Sequence, residues 1–162
     1  MSLVIFITMR AITKPTNISF RSLLLNDVES IVDIENVNAE YPWSASNFSS
    51  SVTDNNTLSL GLFLEQKLVG YALALVALES ADLLNIGIHS VYKRQGYGGA
   101  LLTHLLAQLK EAAVTTVILE VRVENHNAIN FYEKQGFEGI GIRENYYLNQ
   151  EDAKIMKLRM PH

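Results

Sequence analysis

Two stretches of this chain have residue types and spacing suited to chemistry. The first is the turn Lys93-Arg94-Gln95-Gly96-Tyr97-Gly98-Gly99, set between the apolar run Leu83, Leu84, Ile86, Ile88 and a helical stripe at Leu101, Leu102, Leu105, Leu106 and Leu109. Glycines at a strand-to-helix junction let backbone approach a ligand, and a helix start offers unpaired N–H groups and the positive end of its dipole. With the basic pair Lys93 and Arg94 beside it, that is a cradle for an anion such as a pyrophosphate. A Walker loop does not match, and the dinucleotide pattern fails because Leu101 stands where its third glycine belongs. The second stretch is Thr116–Arg122, where alternation puts Val117, Leu119 and Val121 on one face and Ile118, Glu120 and Arg122 on the other. A carboxylate in an apolar strand needs a reason: an ion pair between Glu120 and Arg122, or work as a general base in a partly buried setting.

The elements that must position these groups follow from periodicity. Asn17 to Leu23 alternates as a first strand, and Asn26 is the expected N-cap of a helix burying Val28, Ile31, Val32 and Ile34. Tyr41-Pro42-Trp43 makes a rigid aromatic corner, and Ser44 caps a second helix running through Phe48 and Val52. The corner is either a hydrophobic plug between two helices or a wall for a substrate. Leu58–Leu64 and Leu68–Leu78 form a hairpin about Glu65-Gln66-Lys67, and their near-continuous apolar runs mark central strands covered on both faces. Asp82–His89 is the next strand, with the glycine turn and a helix from near Ala100 after it. Beyond Thr116–Arg122, a helix through Ala128, Ile129, Phe131 and Tyr132 stops at Gly136, and Gly139–Tyr147 and Ala153–Leu158 close the chain as strands.

A strand followed by Gln/Arg-x-x-Gly-x-Gly/Ala and a helix resembles the acetyl-CoA site of the GCN5-related N-acetyltransferases (GNAT), with Lys93 where that family has Gln or Arg. A second string resembles the same family more specifically: Asn125, Ala128, Phe131-Tyr132-Glu133-Lys134, then Gly136-Phe137. Pro42-Trp43-Ser44, and the tail Arg143-x-Asn145-Tyr146-Tyr147 with Glu151-Asp152-Ala153 and Met156, are similar to the RimI-type subfamily, which acetylates ribosomal-protein N-termini. The motifs stand in order along residues 18–160.

The resemblance implies a single-domain α/β GNAT fold: a mixed, mostly antiparallel central sheet of about seven strands flanked by about four helices. The acetyltransferase domain would occupy residues 17–160, with residues 1–16 an extension outside it. Acetyl-CoA is the implied cosubstrate, its pantetheine along Ile86, Gly87 and Ile88 and held by Asn125, its pyrophosphate on Arg94, Gln95, Gly96, Tyr97, Gly98 and Gly99. Tyr41, Trp43, Tyr146 and Tyr147 would meet the acceptor peptide. Glu120 would take the ammonium proton, directly or through a water, and Tyr132, one turn beyond Ala128 on the same face, would protonate the leaving thiolate. The implied acceptor is a protein N-terminal amine, specifically the N-terminal alanine of a small-subunit ribosomal protein, in the cytoplasm. A small-molecule amine acceptor, or a catalytically silent acetyl-CoA-binding module, are the readings it competes with. Tyr132 as a plain core residue, and Tyr146 and Tyr147 as plain strand residues, stay open beside these roles.

Composition narrows the field from the other side. The 162 residues suit one domain with a real core, and 48% hydrophobic against 19% charged is ordinary for a globular protein. A formal net charge of −4 argues against direct nucleic-acid binding. With no cysteine, thiolate metal sites and cysteine nucleophiles are excluded, so the amine must attack the thioester directly; four scattered histidines give no metal spacing. No segment has the length or flanks to span a membrane, and oligomeric state is left open.

Overall fold

The computed structural model describes residues 17–161, so the expected extension at 1–16 lies outside the described residues. Thirteen elements reduce to seven strands, four α-helices and two single 3-10 turns. The strands are β1 (Ile18–Ser22), β2 (Thr57–Leu64), β3 (Lys67–Ala77), β4 (Ser80–Ile88), β5 (Thr116–Arg122), β6 (Glu138–Arg143) and β7 (Ala153–Arg159). They form one sheet in the order β1-β2-β3-β4-β5-β7-β6, antiparallel throughout except for the parallel pair β4–β5. The helices are α1 (Val28–Asn38), α2 (Ala45–Thr53), α3 (Tyr97–Glu111) and α4 (His126–Lys134). The expected α/β architecture is what folds.

Two apolar layers hold it. On one face, Leu101, Leu102, Leu105 and Leu109 of α3 pack on Leu60, Leu62, Val69, Ala72, Leu83, Val117 and Leu119. On the other, Ile31 and Ile34 of α1 and Phe48 of α2 pack on Phe63, Tyr71 and Leu73. That is why β2 and β3 read as continuous apolar runs: both of their faces are covered. No helix among the described residues is long and apolar enough to cross a membrane.

Several boundaries differ from the sequence reading, each for a local reason. Asn26 does not cap α1. Asp27 takes over this end of the chain, its carboxylate accepting from the Leu24 N–H at 2.8 Å and holding Arg21 through bonds of 2.8 and 2.9 Å. The Arg21 hydrogen bonds keep the Asp27 carboxyl below the usual carboxylate range. Helix α3 starts at Tyr97 rather than near Ala100, because Gly96 takes a left-handed φ of +87° and turns the chain straight into the helix. The strand expected over Gly139–Tyr147 ends at Arg143. Asn145 there adopts φ 52° with its N–H on the Asp152 carboxylate at 2.9 Å, so Tyr146 and Tyr147 lie in the loop between β6 and β7.

The β2–β3 hairpin closes through a two-residue turn in which Glu65 and Gln66 both have positive φ, 47° and 71°. Left-handed backbone costs a side-chain-bearing residue about 1–2 kcal/mol. Replacing Glu65-Gln66 by Asn-Gly, the pair suited to this turn, is expected to raise stability by about 1 kcal/mol, read as a higher urea midpoint with an unchanged slope.

Candidate active site

The site begins where the sheet opens. Strands β4 and β5 pair only over Ser80–Asp82 with Thr116–Ile118. Just past that point the β3–β4 register shifts between Leu73 and Ala74, leaving Leu84 as an extra residue on β4. Such a bulge bends and twists its strand, and here it coincides with the place where β4 leaves β5. The His89 N–H donates to the Val69 carbonyl at 2.8 Å, which fixes the ladder's alternation. By that alternation Asn85 and Gly87 turn their backbone groups to β3, whereas Ile86 and Ile88 turn theirs into the opening. The Asn38 side chain reaches the Ile88 carbonyl at 2.8 Å, tying the end of α1 to the end of β4. The N–H groups of Ile86 and Ile88 and the Ile86 carbonyl still face the gap.

At the head of the gap, the N–H groups of Tyr97, Gly98 and Gly99 form the first turn of α3, and no side chain caps them. Space over Gly96 is empty within 4 Å of where a Cβ would stand. Bare donors, a positive helix end and the exposed Lys93 and Arg94 fit the diphosphate of a CoA ester, and the outward amides of β4 fit its pantetheine arm. Gly98 packs near Phe131 of α4 and Ile88 of β4, so cradle and open edge are neighbours. Gly87 has a different reason to be glycine: a Cβ there would stand 2.8–3.0 Å from the Tyr71 ring and hydroxyl. Asn125 caps α4, its Oδ1 accepting from the Ala128 N–H at 3.1 Å, which leaves its Nδ2 to donate to a ligand.

Two arginines gather the other expected residues. Arg122 does not pair with Glu120. Its guanidinium lies 4.0 Å from the Tyr147 ring centre and 4.9 Å from that of Tyr41, and it is ion-paired with Glu151. Glu120 instead pairs with Arg143 at 3.1 Å, and Arg143 stands 5.0 Å from the Tyr146 ring. Glu120 and three of the four expected peptide-facing aromatics thus form one connected cluster across β5, the aromatic corner and the β6–β7 loop. Trp43 is outside it: its ring packs on Phe48 at 5.4 Å, as the hydrophobic plug that the sequence also allowed.

Tyr132 is buried against Phe131 and Phe137, and burial, with the charge of Tyr147 adding, lifts its hydroxyl above the ordinary tyrosine value. Burial pushes the Tyr147 hydroxyl up to about 12 against the downward pull of Arg122. Arg122 also holds the Glu151 carboxyl below its usual range, so this tie is complete at neutral pH and is lost as acid protonates Glu151.

One group was not singled out from the sequence. Glu35 of α1 is 5% exposed and sits among Ile31 and Ile34 on the buried stripe. An acid at a core spacing was the available signal, with Tyr71 and Asn85 as polar interruptions of apolar strands. Among the described residues, no three His, Asp or Glu are grouped to hold a metal ion.

The chain belongs to the acetyltransferase (GNAT) family, whose profile matches residues 26–137, and it is an acetyl-CoA-dependent N-acetyltransferase. It is 39% identical over 140 residues to the ribosomal protein bS18 alanine N-acetyltransferase of Escherichia coli (strain K12), covering 85% of this chain and 94% of that protein. The corresponding protein of Haemophilus influenzae is 38% identical over 134 residues, covering 80% of this chain and 90% of its own. Among solved structures, the ribosomal-protein-S18-alanine N-acetyltransferase of E. coli superposes with a TM-score of 0.84 at 37% identity, over 90% of this chain and 96% of that one. Ard1 from Thermoplasma volcanium, at 23% identity, shares the fold with the same TM-score over 90% of this chain and 99% of its own.

Because Tyr71 fills the space beside Gly87, Gly87→Ala is expected to cost about 1–3 kcal/mol of stability through overpacking. A fall in the denaturation midpoint at constant slope would show it; an unchanged midpoint would mean that the Tyr71 ring has room to move.

Proposed function

We propose that the acceptor is the α-amine of a protein N-terminus, specifically the N-terminal alanine of a small-subunit ribosomal protein, with residues 17–160 as the catalytic domain. The observation that carries this is the paired-arginine cluster. It gathers Tyr41 and Tyr147 on Arg122, and Tyr146 and Glu120 on Arg143, an aromatic-walled face beside the candidate base that suits a peptide backbone. The names of the relatives that match this chain over most of its length support the choice of acceptor. Such an acceptor puts the enzyme in the cytoplasm.

The chemistry needs a neutral amine. An α-amine with pKa of about 7.7–8.0 is neutral in roughly one molecule in ten at pH 7, whereas a lysine at about 10.4 is neutral in only one in a few thousand. An N-terminal acceptor therefore asks little of a base. Glu120, part-exposed on the acceptor face of β5, takes the ammonium proton directly or through a water. Acetyl-CoA supplies an activated thioester, which the amine attacks directly in a ternary complex. The outward N–H of Ile88 is the donor placed to polarise a carbonyl at the β4 edge. Tyr132 returns a proton to the departing sulfur; a buried, protonated hydroxyl suits that step, since the thiol's pKa is roughly 8.5.

Thiol release with acetyl-CoA tests the acceptor, using a peptide that begins Ala-Arg-Tyr-Phe and the same peptide N-terminally blocked with an internal lysine. Turnover of the free N-terminus alone is expected; turnover of neither, with acetyl-CoA still bound, moves the acceptor to a small amine. Tyr132→Phe and Glu120→Gln are each expected to lower kcat by about 100-fold, and both staying within threefold of the parent would remove these roles.

The pH profile gives a separate check on Tyr132. Its hydroxyl is the acid form that works, and its pKa is raised, so the working form persists to higher pH than in an ordinary tyrosine. kcat/KM should rise through about 8 with the acceptor amine and hold past pH ~10, where an unperturbed tyrosine would begin to fail. A fall centred at ~10 that vanishes in Tyr132→Phe would contradict the buried-donor assignment.

A further inference from the structure

Beyond the residues that meet substrate, we infer that Glu35 is a positioning residue, whose buried carboxylate pins the aromatic corner of the acceptor entry to the strand that carries the cofactor edge. This rests on the peptide-acceptor reading for its kinetic consequence, but not for its structural one.

The carboxylate accepts from three elements at once. Its Oε1 accepts from the Trp43 backbone N–H at 3.1 Å and from Asn85 Nδ2 at 3.3 Å. Its Oε2 accepts from the Tyr71 hydroxyl. Trp43 belongs to the corner that presents Tyr41, Asn85 lies one residue before Ile86 on β4, and Tyr71 lies beneath Gly87 on β3. The corner therefore has a polar attachment to the cofactor strand, and it runs through a single side chain.

The burial of Glu35 gives this attachment a purpose. Glu35 is 5% exposed, and among the described residues no Lys, Arg or His pairs with it. A buried carboxylate without a cation is costly, so a carboxylate whose sole use were core filling would be replaceable by a leucine at a gain. What a leucine would lack is the acceptor for the Asn85 amide, the Tyr71 hydroxyl and the Trp43 N–H; the first two keep each other as partners, and the Trp43 N–H has no such substitute. The Tyr41-Pro42-Trp43 segment has no helix or strand of its own to hold it, since α1 ends at Asn38 and α2 starts at Ala45. Besides this bond, its anchors include the packing of Trp43 on Phe48 and the core around it and the Tyr41–Arg122 contact.

Geometry, rather than charge, is the feature that matters. In Glu35→Gln the amide oxygen can still accept from Trp43 and Asn85. Its nitrogen can donate to the Tyr71 oxygen, while the Tyr71 hydrogen turns to Asn85 Oδ1, already 3.2 Å away. Glu35→Gln should thus keep the corner in place, and Glu35→Ala should release it.

Trp43 is the only tryptophan in the chain, so its fluorescence reports on the corner without any substrate. In Glu35→Ala, emission should move to the red and acrylamide quenching should rise, with far-ultraviolet dichroism retained; Glu35→Gln should match the parent. Acceptor-peptide kcat/KM in Glu35→Ala should fall by about tenfold to a hundredfold, with acetyl-CoA Kd within about twofold, and Glu35→Gln should recover most of it. If Glu35→Ala does not fold, Tyr71→Phe serves as its substitute: it removes one bond of the node, and a smaller shift in the same directions is expected. Unchanged Trp43 quenching in a destabilised variant would overturn the inference, leaving Glu35 merely structural. So would an equal loss of acetyl-CoA and peptide binding. If the parent itself does not turn over the peptide, the acceptor proposal fails, and the fluorescence result still decides the role of Glu35.

Discussion

Backbone amides inside a sheet must find partners, and this molecule leaves a short row of them without any. The β4–β5 ladder stops after Asp82 and Ile118, at a bulge that turns β4 away. An unpaired buried amide costs about 1–3 kcal/mol, so the edge at Ile86 and Ile88 is stable only because water or a ligand can reach it. A thioester carrier with its own amide groups would satisfy that edge as a missing strand would. The fold is arranged to keep the gap open: the crossover from β4 enters α3 with bare N–H groups at its head, and Asn38 closes off the last β4 carbonyl.

The face that carries Glu120 depends on charge held in place. Arg122 faces a carboxylate and two aromatic rings and Arg143 a carboxylate and one, and between them they join β5, the segment after α1 and the β6–β7 loop. Neither walls nor base candidate belong to one element, so the entry exists only when the sheet is complete. Behind it, Glu35, Tyr71 and Asn85 form a buried polar node on the same side of the sheet. A fully satisfied network of this kind specifies one arrangement of the elements it joins.

Much of the fold was legible because its signals are local. The helical stripe of leucines after Gly99, the alternation of Thr116–Arg122 and the Ser44 cap each specify one element, and each element is there, with α3 beginning three residues earlier than read. The mixed, mostly antiparallel sheet of about seven strands came with the family resemblance; the strand order and the single parallel pair came from the structure, since periodicity carries no information on which strands neighbour. The site was legible in its residues more than in its pairings. Alternation puts Glu120 and Arg122 on one face, and that suggested an ion pair; the structure gives Glu120 to Arg143 and Arg122 to Glu151, partners 23 and 29 residues away. Such contacts are set by the return of β7 alongside β5, which no local pattern encodes. Glu35 escaped because an acid on a helix reads as surface unless its neighbours at helical spacing are weighed first.

The central claim is that the outward edge of β4 and the first turn of α3 together hold the cosubstrate. Amide-resolved hydrogen exchange with and without CoA tests it most directly. The account predicts that Ile86, Ile88, Tyr97, Gly98 and Gly99 exchange quickly alone and slow markedly with CoA, while Asn85 and Gly87, already bonded to β3, change little. Bound CoA that left the Ile86, Ile88 and α3 amides as fast as before would place the cosubstrate elsewhere and contradict the account.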